Sequence, residues 1–348
     1  MTHYDNPRFK GGLPDYLIRH TTFRQMQIFE AVVRLESFTR AADELFLTQP
    51  TVSTQLKKLT QALGLPLLDQ AGRKLKPTEA GEELYRAVRR IFDTLSDLDT
   101  RIAGLKGLRR GRLRLGVITT AAYFAPEILG GFCREYPGVD VSLTVTNRER
   151  IFARIQNNED DIYILGRPPE KELNLKAYPF APNPLVVLAA PEHPLCRESN
   201  ISLERLAEEP FISREAGSGI RDTIMKVFSA RGLTPQVRME LGSNEAIKHA
   251  VLGGLGVAVL SLHALVLEGS DGPVAVLDVE GFPIVRKWYL AHPKEKELSL
   301  IASTFLEFAK GHGPVISDRM DTLYSAFKRR HRDMLSQTKR AKRSGSHD

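Results

Sequence analysis

The stretch between Ser37 and Gly81 admits few folds. Ala41, Ala42 and Leu45 fall on one face of a short helix, and Phe46 to Thr48 supply a turn. Thr48 stands at an N-cap position, ahead of a second helix with Pro50 in its first turn, where the missing N–H costs little. Val52, Leu56, Leu59 and Leu63 recur at steps of four, three and four as the apolar stripe of that helix, and Thr51, Thr54, Gln55 and Lys58 repeat on the other side. Two short helices joined this way make a helix-turn-helix. The outer face of the second carries hydroxyls, amides and a cation, which reach base edges and phosphates in a major groove without steric conflict. The candidate contacts are Ser37, Thr39, Gln49, Pro50, Thr51, Ser53, Thr54, Gln55 and Lys58. Beyond Gly64, the segment Arg73-Lys74-Leu75-Lys76-Pro77 puts three cations in four residues on a turn, so Arg73 and Lys74 join the set as a wing against a phosphate backbone. A plain helical hairpin with solvated lysines is the alternative reading of any short match of this kind. The partner predicted is double-stranded promoter DNA.

Immediately afterwards Leu84, Val88, Ile91, Leu95, Leu98, Ile102 and Leu105 alternate steps of four and three, a heptad seam held over three repeats. A helix packed on its own domain shows the same stripe. The strict seven-residue period favours a helix pair, with dimer contacts at Leu84, Val88, Ile91, Leu95, Leu98 and Ile102. A two-fold protein reads a pseudo-palindromic site.

Charge divides the chain in the same places. Residues 1–110 hold 18 Lys and Arg against 13 Asp and Glu, and residues 316–348 hold 9 against 4, whereas residues 111–315 hold 22 against 25. The acidic middle is unsuited to nucleic acid as a whole and serves another purpose. A length of 348 residues allows two or three domains with buried cores. Cys133 and Cys196 are the only cysteines and lack metal spacing, which fits small thiols in a reducing cytoplasm. The first 21 residues mix Asp5, Arg8, Lys10, Asp15 and Arg19 with Pro and Gly, so they read as a loose arm and not a signal peptide. Ala250 to Leu267 carries no formal charge, but Gly253-Gly254-Leu255-Gly256 interrupts it, and a helix end, a tight turn and a buried strand Val257–Leu260 explain it better than a membrane span. No membrane partner and a cytoplasmic location are expected.

From Arg112 short β runs alternate with helices. Strands are expected at Leu113–Ile118, Val139–Val145, Asp161–Leu165 and Leu185–Ala190, then at Phe211–Ile212, Val237–Leu241 and Val257–Leu260, with helices between them. A further strand at Val285–Leu290 and a helix at Ser299–Lys310 bring the chain back to the first lobe, with hinges near Pro191 and Phe282. The boundaries expected are an arm at 1–21, a winged helix-turn-helix at 22–80, a linker and dimerisation helix at 81–110, an α/β two-lobed effector domain at 111–312 and a basic tail at 313–348. Lobe I takes about 111–190 and 286–312, and lobe II about 191–285. The cleft between lobes is the expected ligand site. Thr119 and Thr120 follow the first strand, Asn147, Arg148 and Arg167 follow two others, and Gly217, Ser218, Gly219 and Arg221 open a helix, with Ser243 a further contributor. Hydroxyls, free helix N–H groups and planar cations together suit a small anionic effector, a phosphorylated or carboxylated metabolite. Taken singly, Thr119 and Ser218 read equally as helix caps, Ser243 reads as a helix cap first, and Arg148 and Arg167 read as surface cations or interlobe ion pairs. The tail beyond Gly313, with Lys328-Arg329-Arg330-His331-Arg332 and Lys339-Arg340-Ala341-Lys342-Arg343, reads as a solvated, partly helical or disordered arm, or as a weak aid to DNA binding.

No nucleophile elbow, Walker loop or metal spacing among His193, His249, His263 and His292 is present, so no enzyme and no cofactor are expected. A solute-binding protein would share the two lobes but would not carry residues 37–105.

The run through Ser37, Thr39, Ala41, Ala42, Leu45, Gln49, Pro50, Val52, Ser53, Gln55, Leu59, Leu63, Gly64, Thr78, Ala80 and Gly81 resembles the winged helix-turn-helix of LysR-type transcription regulators. Leu68-Asp69-Gln70 departs from the Phe-x-Arg usual there, which puts one phosphate contact in doubt. The segments Thr120 to Pro126, Asn147-Arg148-Glu149, Gly166-Arg167-Pro168-Pro169, Gly217-Ser218-Gly219, Gly242 to Glu245 and Leu277 to Arg286 are similar to the subgroup, called CbbR or RbcR, that controls Calvin-cycle (Rubisco) operons. The resemblance implies a two-lobed periplasmic-binding-protein-like effector domain, activation of CO2-fixation genes, dimers paired into tetramers and contact with RNA polymerase. Control of another carbon or nitrogen pathway is the alternative.

Overall fold

A computed structural model describes residues 19–71, 74–105, 111–167 and 173–344, with side chains outside the description at 70–71, 74, 97, 99–101, 103–105 and 337–344. The chain forms two compact units, Met1–Leu98 and Asp99–Asp348.

The first unit packs α1 (Phe23–Leu35), α2 (Phe38–Glu44) and α3 (Gln49–Leu63) around Ile28, Phe29, Val32, Ala41, Val52, Leu56 and Leu59. Each helix starts on a hydroxyl cap: Thr22 accepts from Gln25, Ser37 from Arg40 and Thr48 from Thr51. Gly64 ends α3 at φ 70°, a left-handed conformation that glycine adopts at no steric cost. The antiparallel pair β1 (Leu68–Ala71) and β2 (Lys74–Pro77) follows as the wing, in register from Leu68↔Pro77 to Ala71↔Lys74. The helix α4 (Glu79–Leu105) begins under it. Thr78 Oγ1 donates to Pro66 O at 2.6 Å and accepts from Gly81 N, and a Cβ on Gly81 would lie 2.0 Å from Leu67 O. The Thr78-to-Gly81 run is therefore a close crossing of wing and helix, which only glycine permits.

The second unit is a sheet in the order β4 (Val139–Thr146), β3 (Gly111–Ile118), β5 (Ile162–Leu165), β11 (Ile284–Pro293), β6 (Leu175–Ala189), β9 (Val257–Ser261), β7 (Pro210–Arg214), β8 (Gln236–Leu241), with β10 (Ala275–Val276) also on β6. Cores on both faces divide it into two lobes. In lobe I, Leu113, Leu115 and Val117 pack on Phe132 of α5 (Ala125–Glu135) and Phe305 of α10 (Leu300–Gly311), and Tyr163 and Leu165 on Ile151 and Ile155 of α6 (Arg148–Gln156). In lobe II, Leu185, Val187 and Val257 pack on Leu206 of α7 (Leu203–Ala207) and Phe228 of α8 (Gly219–Ser229), and Val186, Leu188 and Leu260 on Ile247 and Val251 of α9 (Asn244–Leu252). The uncharged run after Ala250 is the end of α9, a turn and the buried strand β9, and no helix among the described residues is long and apolar enough to cross a membrane.

Three expectations are corrected here. The strand expected at Leu185–Ala190 starts ten residues earlier, at Leu175. Pro179, Pro182 and Pro184 hid its first half, and they are tolerated because that half pairs only with β11, as an edge. The chain thus crosses between lobes inside two long paired strands, β6 and β11, and not at loops near Pro191 and Phe282. The tail from 313 is helical, one of the two forms expected, but it is not a solvated arm. It forms α11 (Gly313–Ser344), whose Ile316 enters the core of lobe I and whose Met320 and Phe327 enter that of lobe II. Ile316, Met320, Phe327, His331 and Met334 recur at helical spacing, a stripe masked by the surrounding cations.

Candidate functional site

On the first unit, α3 buries Val52, Leu56 and Leu59 and leaves Gln49, Pro50, Thr51, Ser53, Thr54, Lys57 and Lys58 exposed in one patch. Lys57 was missed by sequence reading because it lies one step off the chosen face. Two expected contacts have other duties as well: Gln55 is half-buried and accepts from Gln25 Nε2 at 3.3 Å, and Thr51 shares a 2.8 Å hydroxyl contact with the cap Thr48. Ser37 caps α2, and Thr39 beside it is exposed. Lys74 opens β2, though its side chain lies outside the described residues, as does the whole of Arg73.

On the second unit a cavity of about 30 Å³ lies between the lobes, room for roughly two or three waters. Lobe I lines it with Thr119, Thr120, Asn147, Arg148 and Arg167, and lobe II with Ser218 and Gly219 at the N-terminus of α8. Ser218 is buried, and its hydroxyl does not cap the helix, unlike Asn147, which accepts from Arg150 N at 2.9 Å. Arg148 lies over the Phe152 ring at 4.7 Å and donates to Arg167 O at 2.9 Å.

Three expected residues stand elsewhere. Gly217 is the left-handed turn before the helix, at φ 80°, and does not line the cavity. Arg221 is drawn away to Glu240 and to Arg214 O. Ser243 caps α9 through Ala246 N at 3.3 Å. In their place the fold supplies Arg214, Glu215, Gly166, Arg286 and Trp288. Arg214 could have been found by the strand-end rule that picked Thr119. It is already neutralised, with Nε and Nη2 on the Glu215 carboxylate at 2.7 and 2.9 Å, and it also reaches Thr119 Oγ1 across the cleft at 3.3 Å. Arg286 and Trp288 stand in mid-strand, where only the crossing of β11 between lobes brings them to the cavity. Burial, with the charges of Arg148 and Arg167, pulls the Arg286 pKa down to about 10. Its own hydrogen bonds go to neutral oxygens, Gly219 O at 2.9 Å and Thr223 Oγ1 at 3.1 Å. Arg148 and Arg167 thus act on Arg286 through their charge, beside the N-terminus of α8.

A helix-turn-helix with a wing and a separate two-lobed domain closing on a polar cleft define a ligand-responsive DNA-binding regulator. The chain belongs to the LysR family of bacterial transcription regulators: residues 23–82 match the family's regulatory helix-turn-helix and residues 106–314 its substrate-binding domain. Among its relatives is the transcriptional activator CmpR of Synechocystis, 50% identical over 86% of this chain and 98% of that protein. A RuBisCO operon transcriptional regulator of Acidithiobacillus ferrooxidans is 48% identical over 84% and 94%, respectively. Among solved structures, the Synechocystis CcmR regulatory domain in complex with 2-PG shares 51% identity at a TM-score of 0.56, covering 58% of this chain and 97% of that one. CbnR complexed with its target DNA shares 20% identity at a TM-score of 0.60, covering 84% and 99%, which shows the common fold.

Proposed function

We propose that this protein activates CO2-fixation operons, those of Rubisco and the Calvin cycle, in response to a small phosphorylated or carboxylated metabolite. The observation that carries the effector half is the cluster of Arg148, Arg167 and Arg286 at the N-terminus of α8, in a chain about half identical to a regulatory domain bound to 2-PG, which is 2-phosphoglycolate. The target half rests on RuBisCO operon regulators that are 48% and 44% identical over 84% and 83% of the chain.

The exposed Leu95, Leu98 and Ile102 of α4 pair with a second copy, and dimers join into tetramers on a pseudo-palindromic promoter site. An anion that closes the cleft changes the angle between DNA-binding pairs, and with it the bend of the promoter and access of RNA polymerase. Promoter binding is a cytoplasmic role, and no catalytic step is part of it. Calorimetry with 2-phosphoglycolate and other sugar-derived anions, alongside mapping of promoter occupancy in cells, tests both halves. Ser218→Ala is expected to weaken the response to the effector. Occupancy confined to promoters of unrelated pathways would sink the target, and indifference to every such anion would sink the effector.

A further inference from the structure

Three buried N–H donors at the crossing of the lobes find no acceptor among the described residues: Arg286 Nε, Asn183 Nδ2 and Trp288 Nε1. Unpaired buried donors are rare in folded proteins and unfavourable. These three also share a place. Arg286 is directly opposite Asn183 in the β11–β6 register, and Trp288 follows Arg286 by two positions, so all three point to one face of the ribbon. That face meets the cavity, which Arg286, Trp288 and Gly166 line. A Cβ on Gly166 would come within 3.2 Å of Asn183 Nδ2 and 3.6 Å of the Trp288 ring, so even a methyl between the cavity and these two donors would crowd them.

We propose that the three donors form a carboxylate subsite in the floor of the effector cleft, distinct from a phosphate subsite at its rim, so that the cleft selects a small metabolite carrying both groups. The inference rests on the effector reading above. The floor offers one cation, with Nη1 already committed, and two neutral planar donors, which suits a singly charged planar group. The rim offers a helix N-terminus, the hydroxyls of Thr119, Thr120 and Ser218, and Arg148, which suits a doubly charged tetrahedral one. Because Asn183 and Arg286 lie on the two strands that pass between lobes, a carboxylate held by both fixes the crossing as well as the cleft.

Trp288 is the single tryptophan of the chain, so its fluorescence reports on the floor directly. In the full-length protein, 2-phosphoglycolate and glycolate should change its emission, while inorganic phosphate should bind calorimetrically with little change. Trp288→Phe keeps a ring and removes the N–H. It should weaken 2-phosphoglycolate by roughly tenfold or more and glycolate likewise, with inorganic phosphate unaffected. Gly166→Ala, which leaves all three donors in place, should do the same by crowding Asn183 and Trp288, and unfolding temperatures near the wild-type value would exclude loss of fold. Equal loss of phosphate and 2-phosphoglycolate in these variants, or no loss of either, overturns the subsite. If Ser218→Ala weakens 2-phosphoglycolate and the floor variants do not, the effector reading stands and the subsite alone falls. If the wild type binds none of the three anions, both fall.

Discussion

His263 shows how a side chain's role follows from what surrounds it. It is 1% exposed, donates from Nε2 to Pro182 O at 3.0 Å, and its ring lies 5.1 Å from that of Phe124. Burial pushes its pKa down to about 4, assisted by the charge of Arg319. An unfolded histidine titrates near 6.5, so the unfolded chain takes up a proton first as pH falls. The group's contribution is therefore complete above about pH 6.5 and is lost as pH drops through about 4, a loss of about 3 kcal/mol. Urea unfolding of the wild type and of His263→Asn over that range checks this: the variant should show the shallower decline. Arg286 and Arg221 make the complementary point. Both are arginines near a cleft, but Glu240 takes the second, and the first, bonded only to neutral oxygens, is the one that lines the cavity.

The helix α4 combines both readings of its apolar seam. Val88 is fully buried and Leu84 packs on the core of the DNA-binding unit, so these two expected dimer contacts serve their own domain first. The pair of Arg89 Nη1 and Glu30 at 3.0 Å adds a polar tie to α1. Further along, Leu95, Leu98 and Ile102 are 42%, 52% and 42% exposed, a row of large apolar side chains that a partner helix would cover. Replacing Leu95 and Leu98 together by Asp should convert the assembly to monomers in light scattering and weaken operator binding, since half of the paired contacts go. An unchanged mass would refute the seam. The period alone could not divide the seam, because burial on one's own domain and burial on a partner impose the same spacing.

Across the effector domain, α11 ties the two lobes together beyond the reach of the family's substrate-binding domain, which ends at residue 314. It starts pressed on β6, where a Cβ at Gly313 would lie 1.9 Å from Phe180 O. Arg319 grips Glu127 of lobe I through two 2.6 Å contacts, while Arg330 caps the carbonyls of Ser270, Gly272 and Val274 in lobe II. The exposed ion pair contributes under about 1 kcal/mol. Burial of Ile316, Met320 and Phe327 contributes far more, on the order of 5 kcal/mol at ordinary transfer values. A chain ending at residue 312 should therefore unfold at a distinctly lower temperature than the full chain, as read by calorimetry. An unchanged midpoint would mean that the helix is dispensable.

What could be read from the one-dimensional chain was whatever repeats locally. Hydrophobic period, hydroxyl caps and turn residues located α2 to α4, the wing and almost every strand and helix of the two lobes, because these depend on neighbours within about a turn or a strand. The strand-end rule also found Thr119, Thr120, Asn147, Arg148 and Ser218, which the fold gathers in one cavity. Contacts distant in sequence stayed hidden. Nothing local says that a proline-rich run pairs with Ile284–Pro293, that Asn183 faces Arg286, or that a cationic tail buries Phe327. Those outcomes depend on which surfaces meet when the lobes close around shared strands, and the free energy of that meeting is written in no single segment.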